Sequence, residues 1–487
     1  MFDFDNSYAR LPGRMFARLE PTPVAEPRLL AFNHALAREL GMQDTTARDP
    51  AELAAMFAGN TVPAGAAPLA MAYAGHQFGN FVPQLGDGRA LLLGEVVDAR
   101  GRRRDVQLKG SGRTPFSRGG DGRAALGPVL REYLLSEAMH ALGIPTTRAL
   151  AAVATGEPVW RDEPLPGGVV TRVAASHVRV GTFQYFAARG DVEAVRRLAD
   201  HVIARHYPAL VEVDAPYLAL LEAVVEAQAA LVARWLQVGF IHGVMNTDNT
   251  AVSGETIDYG PCAFMDAYDP ATVFSSIDRR GRYAYANQPR IALWNLARLA
   301  ETLLPLIDAE PAAAVEQATA VVEGFTARFE RHWLDGMRAK LGLASVAEGD
   351  AELVQSLLDR MQAGSLDFTL TFRNLCEAAA VGGEDPTVGG EAAALGDWMV
   401  EWRARLARDP QEPAERAAAM RRANPAVIPR NHRVEEALSA AVREDDLAPF
   451  ERLLAVLRRP YESQPGAAAF MAPPPVPDPA YRTFCGT

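Results

Sequence analysis

The sequence has few cysteines and no long uninterrupted apolar run, and both features limit what the protein can be. Its three cysteines, Cys262, Cys376 and Cys485, are too few for a disulfide scaffold and lack the spacing of metal ligands. No run approaches the roughly 20 apolar residues that a membrane-spanning helix needs. The first residues, MFDFDNSYARLPGRMF, begin with acidic side chains and contain no apolar segment typical of a signal peptide. We therefore expect a cytoplasmic protein without a membrane partner.

An excess of basic residues is also missing. The chain has 49 Lys and Arg against 60 Asp and Glu, a net charge of -11. General nucleic-acid binding requires a basic surface, so no nucleic-acid partner is expected. The share of apolar residues, 49%, is typical of a globular protein, and 487 residues are enough for a two-lobed enzyme with additional segments.

The character of the sequence changes along the chain. Short β-prone runs among clustered glycines, such as ALLLGEVV at 90–97, give way after about residue 190 to amphipathic helix patterns, which include helices predicted at 217–239, 312–341 and 390–407. This order predicts an α+β fold with a β-rich small lobe, a helical large lobe and a nucleotide-sized cleft between them. The predicted divisions are an arm with one or two short helices at 1–70, such as RLLAFNHALARELG at 28–41, the small lobe at 71–188, the large lobe at 189–463 and a Pro-rich tail with Cys485 at 464–487.

Two glycine-rich loops in the predicted small lobe suit an anion. In QLGDGRALLLGEV, at 84–96, glycines allow the backbone to approach a phosphate and Arg89 adds charge, although a plain hairpin turn has the same pattern. The loop GSGRTPFSRGGDGRA, at 110–124, carries three arginines among five glycines. Its composition favours an anion site over a simple linker, and an exposed basic loop is the alternative.

Lys109 ends a predicted strand, as the phosphate-pairing lysine of a kinase does. In a kinase a glutamate on the following helix directs that ammonium towards phosphate oxygens. The helix predicted at 124–143 offers Glu132 and Glu137 for this role. We favour Glu132, but sequence spacing alone does not decide between them, and either could be an ordinary surface glutamate.

The stretch HGVMNTDNTAVSGETIDYG, at 242–260, has the spacing of a phosphate-transfer centre. Asn249 lies seven residues after His242, and Asp258 follows Asn249 by nine, an interval long enough for a short β-hairpin. Amide and carboxylate oxygens are ligands that Mg²⁺ prefers, so the pattern predicts a metal–nucleotide site. Val244 stands where a kinase has its catalytic aspartate, and we interpret His242 as structural.

Arg172 and Arg179 lie seven residues apart around a predicted strand-to-helix junction. The planar guanidinium of arginine suits phosphate oxygens. Considered alone, either residue could equally form a surface ion pair.

These motifs strongly resemble the selenoprotein O family. The resemblance lies in YAGHQFGNFVPQLGDGRALLLGEV, LKGSGRTPFSRGGDGRAALGPVLREYLLSEAMHALGIP, HGVMNTDN and DYGPCAFMDAYDP, and it continues in NQPRIALWNLARLAETL and NPAVIPRNH. It therefore covers essentially the whole chain. It implies a two-lobed protein-kinase-like fold and the transfer of AMP from ATP to hydroxyl groups of proteins. ATP would lie flipped relative to a kinase, with the γ-phosphate buried.

The resemblance also implies roles for individual residues. Glu132 would pair with Lys109, and Asp248 would be the catalytic base. Asn249 and Asp258 would hold Mg²⁺, with Mn²⁺ as the alternative. A carboxylate beside Mg²⁺ is expected to have a low pKa, so Asp248 would orient the hydroxyl more than deprotonate it. The implied nucleotide contacts are Gly86, Gly88, Arg89, Lys109, Asp121, Gly122, Arg172, Arg179 and Asp258.

The resemblance leaves several alternatives open. Many eukaryotic members carry selenocysteine near the carboxyl end, where this chain has Cys485. A reversible disulfide between Cys485 and Cys262 is one hypothesis, and an inert tail thiol is the other. The expected partners are ATP and proteins with Ser, Thr or Tyr hydroxyls, including the protein itself. The alternative activities are an atypical kinase that uses Asp248, UMP transfer from UTP, and a non-catalytic nucleotide-binding scaffold.

Overall fold

The computed structural model describes residues 2–42, 45, 47–380, 395–475 and 481–484. The α+β class expected from the sequence is confirmed at the level of one large antiparallel sheet and many helices. The strands are β1 Phe16–Arg18, β2 Arg28–Phe32, β3 Leu69–Met71, β4 Gly75–Gln77, β5 Asn80–Val82, β6 Ala90–Val97, β7 Arg103–Lys109, β8 Ala124–Ala125, β9 Arg148–Trp160, β10 Pro164–Ala174, β11 Phe240–Ile241 and β12 Ala263–Phe264.

Eight strands form the main sheet. Its order is β1-β3-β6-β7-β10-β9-β2, and β8 pairs with β10. The β4–β5 hairpin and the β11–β12 pair stand apart from it. At the turn between β6 and β7, the buried carboxylate of Asp98 accepts hydrogen bonds from the amides of Arg100 and Arg102, both at 2.9 Å. This turn fixes the register that carries Lys109 to the far end of β7.

The helices follow mostly after the sheet. They are α1 His34–Glu39, α2 Pro50–Ala58, α3 Leu126–Ala141, α4 Val180–Ala187, α5 Val192–His206, α6 Pro216–Gln237, α7 Gln288–Ile307, α8 Pro311–Glu323, α9 Phe325–Leu341, α10 Asp350–Ala363, α11 Phe368–Ala380, α12 Trp398–Leu406, α13 Pro413–Ala423, α14 Asn431–Arg443, α15 Ala448–Leu457 and α16 Ala468–Met471. Single 3₁₀ turns occur at Tyr8–Arg10, Gly13–Met15, Pro208–Leu210, Thr247–Asn249 and Tyr285–Asn287.

The two faces of the sheet are covered differently. On one face Leu93 and Val106 pack with Phe57 of α2. On the other, Leu92 and Val170 join a continuous core that runs through α3 and the later helices. Helix α3 packs against β9 and β10 and also against α14 and α15. It therefore connects the sheet with the carboxyl-terminal helices.

Helix α6 is the most apolar long helix of the described residues. Its length and composition would permit it to cross a membrane, but half of its most apolar window is buried inside the protein. It packs against α7, α8 and α9. This burial is that of a core helix.

Several sequence predictions need correction. The helix predicted at 28–41 begins instead as strand β2, and α1 starts only after Asn33. The segment 1–70 thus also supplies β1 and β2 to the sheet, because their main chains pair with β3 and β9. The helix predicted at 312–341 is two helices, α8 and α9, separated at Gly324. Of the helix predicted at 390–407, residues 390–394 lie outside the described part of the chain.

We predict that Asn33→Ala destabilises the protein by about 2 kcal/mol. The side-chain oxygen of Asn33 caps α1 by accepting a hydrogen bond from the Leu36 amide at 3.1 Å. The side-chain amide nitrogen of Asn33 donates to Glu137 at 2.7 Å. Losing a cap costs about 1 kcal/mol, and a buried carboxylate loses a donor as well. Urea unfolding measures the change, with Arg38→Ala on the exposed side of α1 as the control. Equal stability of the two variants would contradict the assignment.

Candidate active site

The pairing of two central strands sets two cations side by side. In the β7–β10 pair, Lys109 lies opposite Val170 and Gln107 lies opposite Arg172. Positions two apart on a strand share a face of the sheet, and directly paired residues share it as well. Lys109 and Arg172 therefore project from the same face.

Two carboxylates join these cations in a buried network. The Lys109 ammonium lies 2.7 Å from Glu132 Oε2 on α3 and 2.7 Å from Asp258 Oδ1. Arg172 donates to the other oxygen of Glu132 and, at 3.0 Å, to the same Oδ1 of Asp258. Glu137, the other candidate partner of Lys109, instead binds Arg148 at 2.7 and 2.8 Å.

The network keeps both carboxylates ionised. Burial alone would raise the pKa of each, but Lys109 and Arg172 outweigh burial, and the pKa of Glu132 is lowered. The same two cations hold the pKa of Asp258 well below its usual value. Two positive and two negative charges therefore balance within the network.

The backbone at Asp258 is left-handed, with φ of 72°. This conformation is uncommon outside glycine and costs of order 1 kcal/mol, so neighbouring contacts must hold it. The carbonyl before it, of Ile257, accepts from the His242 ring at 2.9 Å. The carbonyl of Gly260 accepts from Arg131 at 3.1 Å. His242 thus braces this segment, as interpreted from the sequence.

No β-hairpin joins Asn249 to Asp258, contrary to the interpretation of their spacing. Ala251 bridges to Arg179 instead, and Thr256 bridges in parallel to Thr146. The segment between the two residues is thus held by separate parts of the chain. A hairpin would have needed the two halves to pair with each other.

Asp248 lies in a 3₁₀ turn and is buried. Its Oδ2 is 3.5 Å from the Gln77 amide nitrogen, and its Oδ1 has no hydrogen-bond partner. Burial raises the pKa of Asp248 to about 6, against the opposing charge of Arg179. A low pKa was expected for the Asp248 carboxyl beside Mg²⁺, and it is therefore not found in the protein alone. A carboxylate with this pKa is ionised at neutral pH and able to accept a proton.

Close backbone approach positions Asp248. A Cβ at Gly75 would lie 2.4 Å from Asp248 Oδ1, and one at Gly181 would lie 3.3 Å from its Cα. The amide of Ala74 also donates to the Gly181 carbonyl at 2.9 Å. Neither glycine was singled out from the sequence, because each lies far along the chain from the loop that it contacts.

The oxygens predicted to hold a metal are a pair and not a cluster. Among the described residues, no three His, Cys, Asp or Glu side chains gather as metal ligands. Asn249 donates its amide to the Val244 carbonyl at 3.1 Å, which leaves its side-chain oxygen outside that bond. Both ion pairs of Asp258 use Oδ1, and 30% of its side chain is exposed. Because Mg²⁺ often uses only one or two protein ligands and several waters, this donor pair fits it.

The two glycine-rich loops pack on each other. The amide of Gly110 donates to the Arg89 carbonyl at 2.7 Å, and the Ser117 hydroxyl donates to the Gly88 carbonyl at 2.5 Å. Gly86 has φ of 68°, and a Cβ there would lie 2.3 Å from the Phe116 ring. At Gly88 a Cβ would lie 2.9 Å from the Phe116 carbonyl. Packing between loops therefore explains both glycines, and their contact with a nucleotide stays a prediction.

Asp121 and Gly122 support the second loop. Asp121 forms an ion pair with Arg161 at 2.8 Å and accepts from the Arg123 amide at 2.9 Å. Gly122 has φ of 71°, and a Cβ there would lie 2.1 Å from the Gly112 carbonyl oxygen. Arg161 was not identified from the sequence because it lies in a different connection, between β9 and β10. Nucleotide contact by Asp121 and Gly122 likewise stays a prediction.

Arg179 is buried at the start of α4. Its guanidinium lies 4.4 Å from the centre of the Tyr73 ring and 3.9 Å from Asp87 Oδ1, and its Nε has no hydrogen-bond partner. Its charge acts on the carboxyl of Asp248, where it partly offsets the rise in pKa that burial causes. Tyr73 and Asp87 were missed from the sequence, although both lie in the quoted motif strings.

A cavity of about 20 Å³ lies beside the ion network. It is lined by Arg89, Lys109, Glu132, Asp258 and neighbouring apolar groups. This volume is about that of one water, so phosphate groups could enter only if lining side chains moved.

Of the two cysteines in the predicted redox pair, only Cys262 lies in the part of the chain that the structure describes. Cys262 is buried, and burial raises its thiol pKa to about 12. The preceding Pro261 accepts from the Thr483 hydroxyl at 2.5 Å, and the Thr483 amide donates to the Phe274 carbonyl at 2.8 Å. Cys485 lies outside the described residues, so the disulfide hypothesis stays a prediction.

Comparison with known proteins gives one consistent result. The model of the family described as "Protein adenylyltransferase SelO" matches residues 1–458. A curated relative from Rhizobium johnstonii, named "Protein nucleotidyltransferase YdiU", is 66% identical over 100% of this chain and 97% of its own. The relative of the same name from Rhizobium meliloti is 64% identical over 100% of this chain and 99% of its own.

We predict that Asp248→Asn stabilises the metal-free protein at neutral pH but not in acid. Because the folded state raises this pKa to about 6, it binds the proton more tightly than the unfolded chain does. Stability therefore falls as pH rises through about 6, and asparagine removes that loss, which is on the order of 2 kcal/mol. Urea unfolding with EDTA at pH 4 and pH 7.5 measures it. The same effect at both pH values would contradict this origin.

Proposed function

Because this chain belongs to the protein adenylyltransferase SelO family, we propose that it transfers AMP from ATP to hydroxyl groups of protein side chains and releases pyrophosphate. By family it is an enzyme, a protein nucleotidyltransferase. The proposal includes a two-lobed protein-kinase-like fold and a cytoplasmic location. The observation that carries it is the buried Lys109–Glu132–Arg172–Asp258 network beside a loop that has Val244 where a kinase has its aspartate.

The buried cationic side chains suit an ATP molecule whose γ-phosphate lies deepest in the site. Lys109, Arg172 and Arg179 are buried on the sheet side of the site, and Arg89 lines the same small cavity as Lys109. A buried γ-phosphate needs such charges, and arginine pairs with phosphate through two parallel hydrogen bonds. This orientation leaves the α-phosphate towards the catalytic loop. Glu132 would keep Lys109 aimed at the phosphates.

Asp248 supplies the proton acceptor in this proposal. The hydroxyl group of the substrate protein gives its proton to the Asp248 carboxylate as the hydroxyl oxygen attacks the α-phosphorus of ATP and pyrophosphate leaves. Asn249 and Asp258 would hold Mg²⁺, or Mn²⁺, whose charge would neutralise the leaving pyrophosphate. Burial of Asp248 makes its carboxylate more basic, which favours this role over simple orientation.

The first test uses ATP labelled separately at the α and γ phosphates. We expect the purified protein to label itself and proteins of a cell extract from the α position only, and Asp258→Ala to abolish the label because a metal ligand is lost. UTP labelled at the α position, with Mg²⁺ or Mn²⁺, tests UMP transfer in the same assay. EDTA should abolish all labelling.

Each other outcome favours a different function. Label from the γ position only would indicate an atypical kinase that uses Asp248. Stronger label from UTP would indicate UMP transfer. ATP binding without any label would indicate a nucleotide-binding scaffold.

We predict that Glu132→Gln weakens ATP binding about tenfold, a loss of about 1.4 kcal/mol. The Lys109 ammonium and Arg172 both lose a charged partner, so both are less well positioned for phosphates. Calorimetric titration with ATP measures the affinity, and Glu435→Gln, at a half-exposed side chain, is the control. Unchanged affinity in Glu132→Gln would contradict the positioning role.

A further inference from the structure

A groove of about 710 Å³ lies beside the catalytic loop and is used by none of the steps above. It runs between the β4–β5 hairpin, the loop at 277–282 and the start of α7. Phe78, Ile277 and Trp294 give it apolar surface. The Ile277 side chain is 55% exposed, so it offers apolar surface to a ligand.

The groove is strongly basic although the protein carries a net charge of -11. Arg279, Arg280 and Arg290 line it, and all three are exposed. Within the described part of the chain, none of these three forms an ion pair, whereas most other arginines near the site do. The one acid in the lining, Asp278, is buried and accepts from the amides of Arg282 and Tyr283 at 2.9 and 2.7 Å. The Asp278 carboxylate is therefore engaged by backbone amides inside the protein.

An aromatic and cationic floor completes the groove. The Arg282 guanidinium lies 5.0 Å from the centre of the Trp294 ring, and the His76 ring packs edge-on to the same tryptophan at 5.1 Å. The Arg282 Nε is buried without a hydrogen-bond partner. These packed rings and the guanidinium give the groove a surface on which a ligand would lie.

The wall of the groove is bonded to the catalytic loop. The Tyr283 hydroxyl donates to Asn246 Oδ1 at 2.6 Å, and the Phe78 amide donates to the same oxygen at 3.0 Å. The neighbouring Gln77 approaches Asp248. The groove wall is thus bonded to the loop that carries the residue proposed to accept the hydroxyl proton.

We propose that this groove binds acidic segments of protein substrates and so selects hydroxyl side chains flanked by Asp or Glu. The inference rests on the proposed AMP transfer and adds the chemistry of the substrate. The three unpaired guanidiniums match carboxylates, and the exposed apolar surface of Ile277 matches a peptide more than a polyphosphate backbone. The overall negative charge of the chain also disfavours a long polyanion such as RNA.

Synthetic peptides test the groove. Three fluorescent peptides share one central serine, flanked by Glu, Gln or Lys. We expect the Glu peptide to bind at least tenfold more tightly than the Gln peptide in anisotropy titrations, with an affinity that falls as salt rises. With α-labelled ATP, its preference should appear as a lower KM. A single-stranded RNA of matched charge is included as a competitor.

The variant that tests the assignment is R279E/R280E/R290E. It should lose the preference for the Glu peptide and gain affinity for the Lys peptide, while its affinity for ATP stays unchanged. R38E/R100E/R408E changes the charge of three other exposed arginines by the same amount and should keep the wild-type preference. Unfolding measurements on both variants establish that each is folded.

The outcomes separate this inference from the proposed function. Equal binding of the Glu and Gln peptides, or wild-type preference in the groove variant, would overturn the inference even if AMP transfer occurs. Tighter binding of RNA that the groove variant loses would overturn it in favour of a nucleic acid. Selective Glu-peptide binding without transfer of α-label would support the groove as an acidic-peptide site and contradict AMP transfer.

Discussion

The buried ion network of Lys109, Arg172, Glu132 and Asp258 is the interaction on which the site depends. It joins two strands, one helix and one loop that lie up to 149 residues apart in sequence. Removing one partner from such a network leaves an uncompensated buried charge and costs about 3 to 5 kcal/mol. The same charges that hold these elements together are those assigned to ATP in the proposed function. Under that proposal, nucleotide binding and folding use one set of side chains.

The loops around the network owe their shape to close backbone packing. Gly75, Gly86 and Gly122 each lie where a Cβ would approach another atom to 2.4 Å or less. A glycine-rich pattern in this chain is thus first a requirement of packing between segments. Contact with phosphate is compatible with that requirement but is not needed to explain it.

The sequence predicts much of this architecture because the relevant signals are local. Periodicity and Gly or Pro boundaries located α3, α6 and β6 to within two residues. It did not predict that β2 replaces the start of a helix, because main-chain pairing with β9 outweighs local helix propensity. Lys109 could be matched with either Glu132 or Glu137, since only tertiary packing turns Glu137 towards Arg148. Tyr73, Asp87 and Arg161 were missed for the same reason, as their partners are distant in the chain.

The contact of Thr483 with Pro261 spans 222 residues and lies three positions from Asp258. A nascent chain on the ribosome would therefore hold the segment around Asp258 without this support until residue 483 had emerged. Lys109, Glu132 and Arg172 are all synthesised much earlier and are able to form their part of the network first. Formation of this part of the structure would thus end with the segment around Thr483.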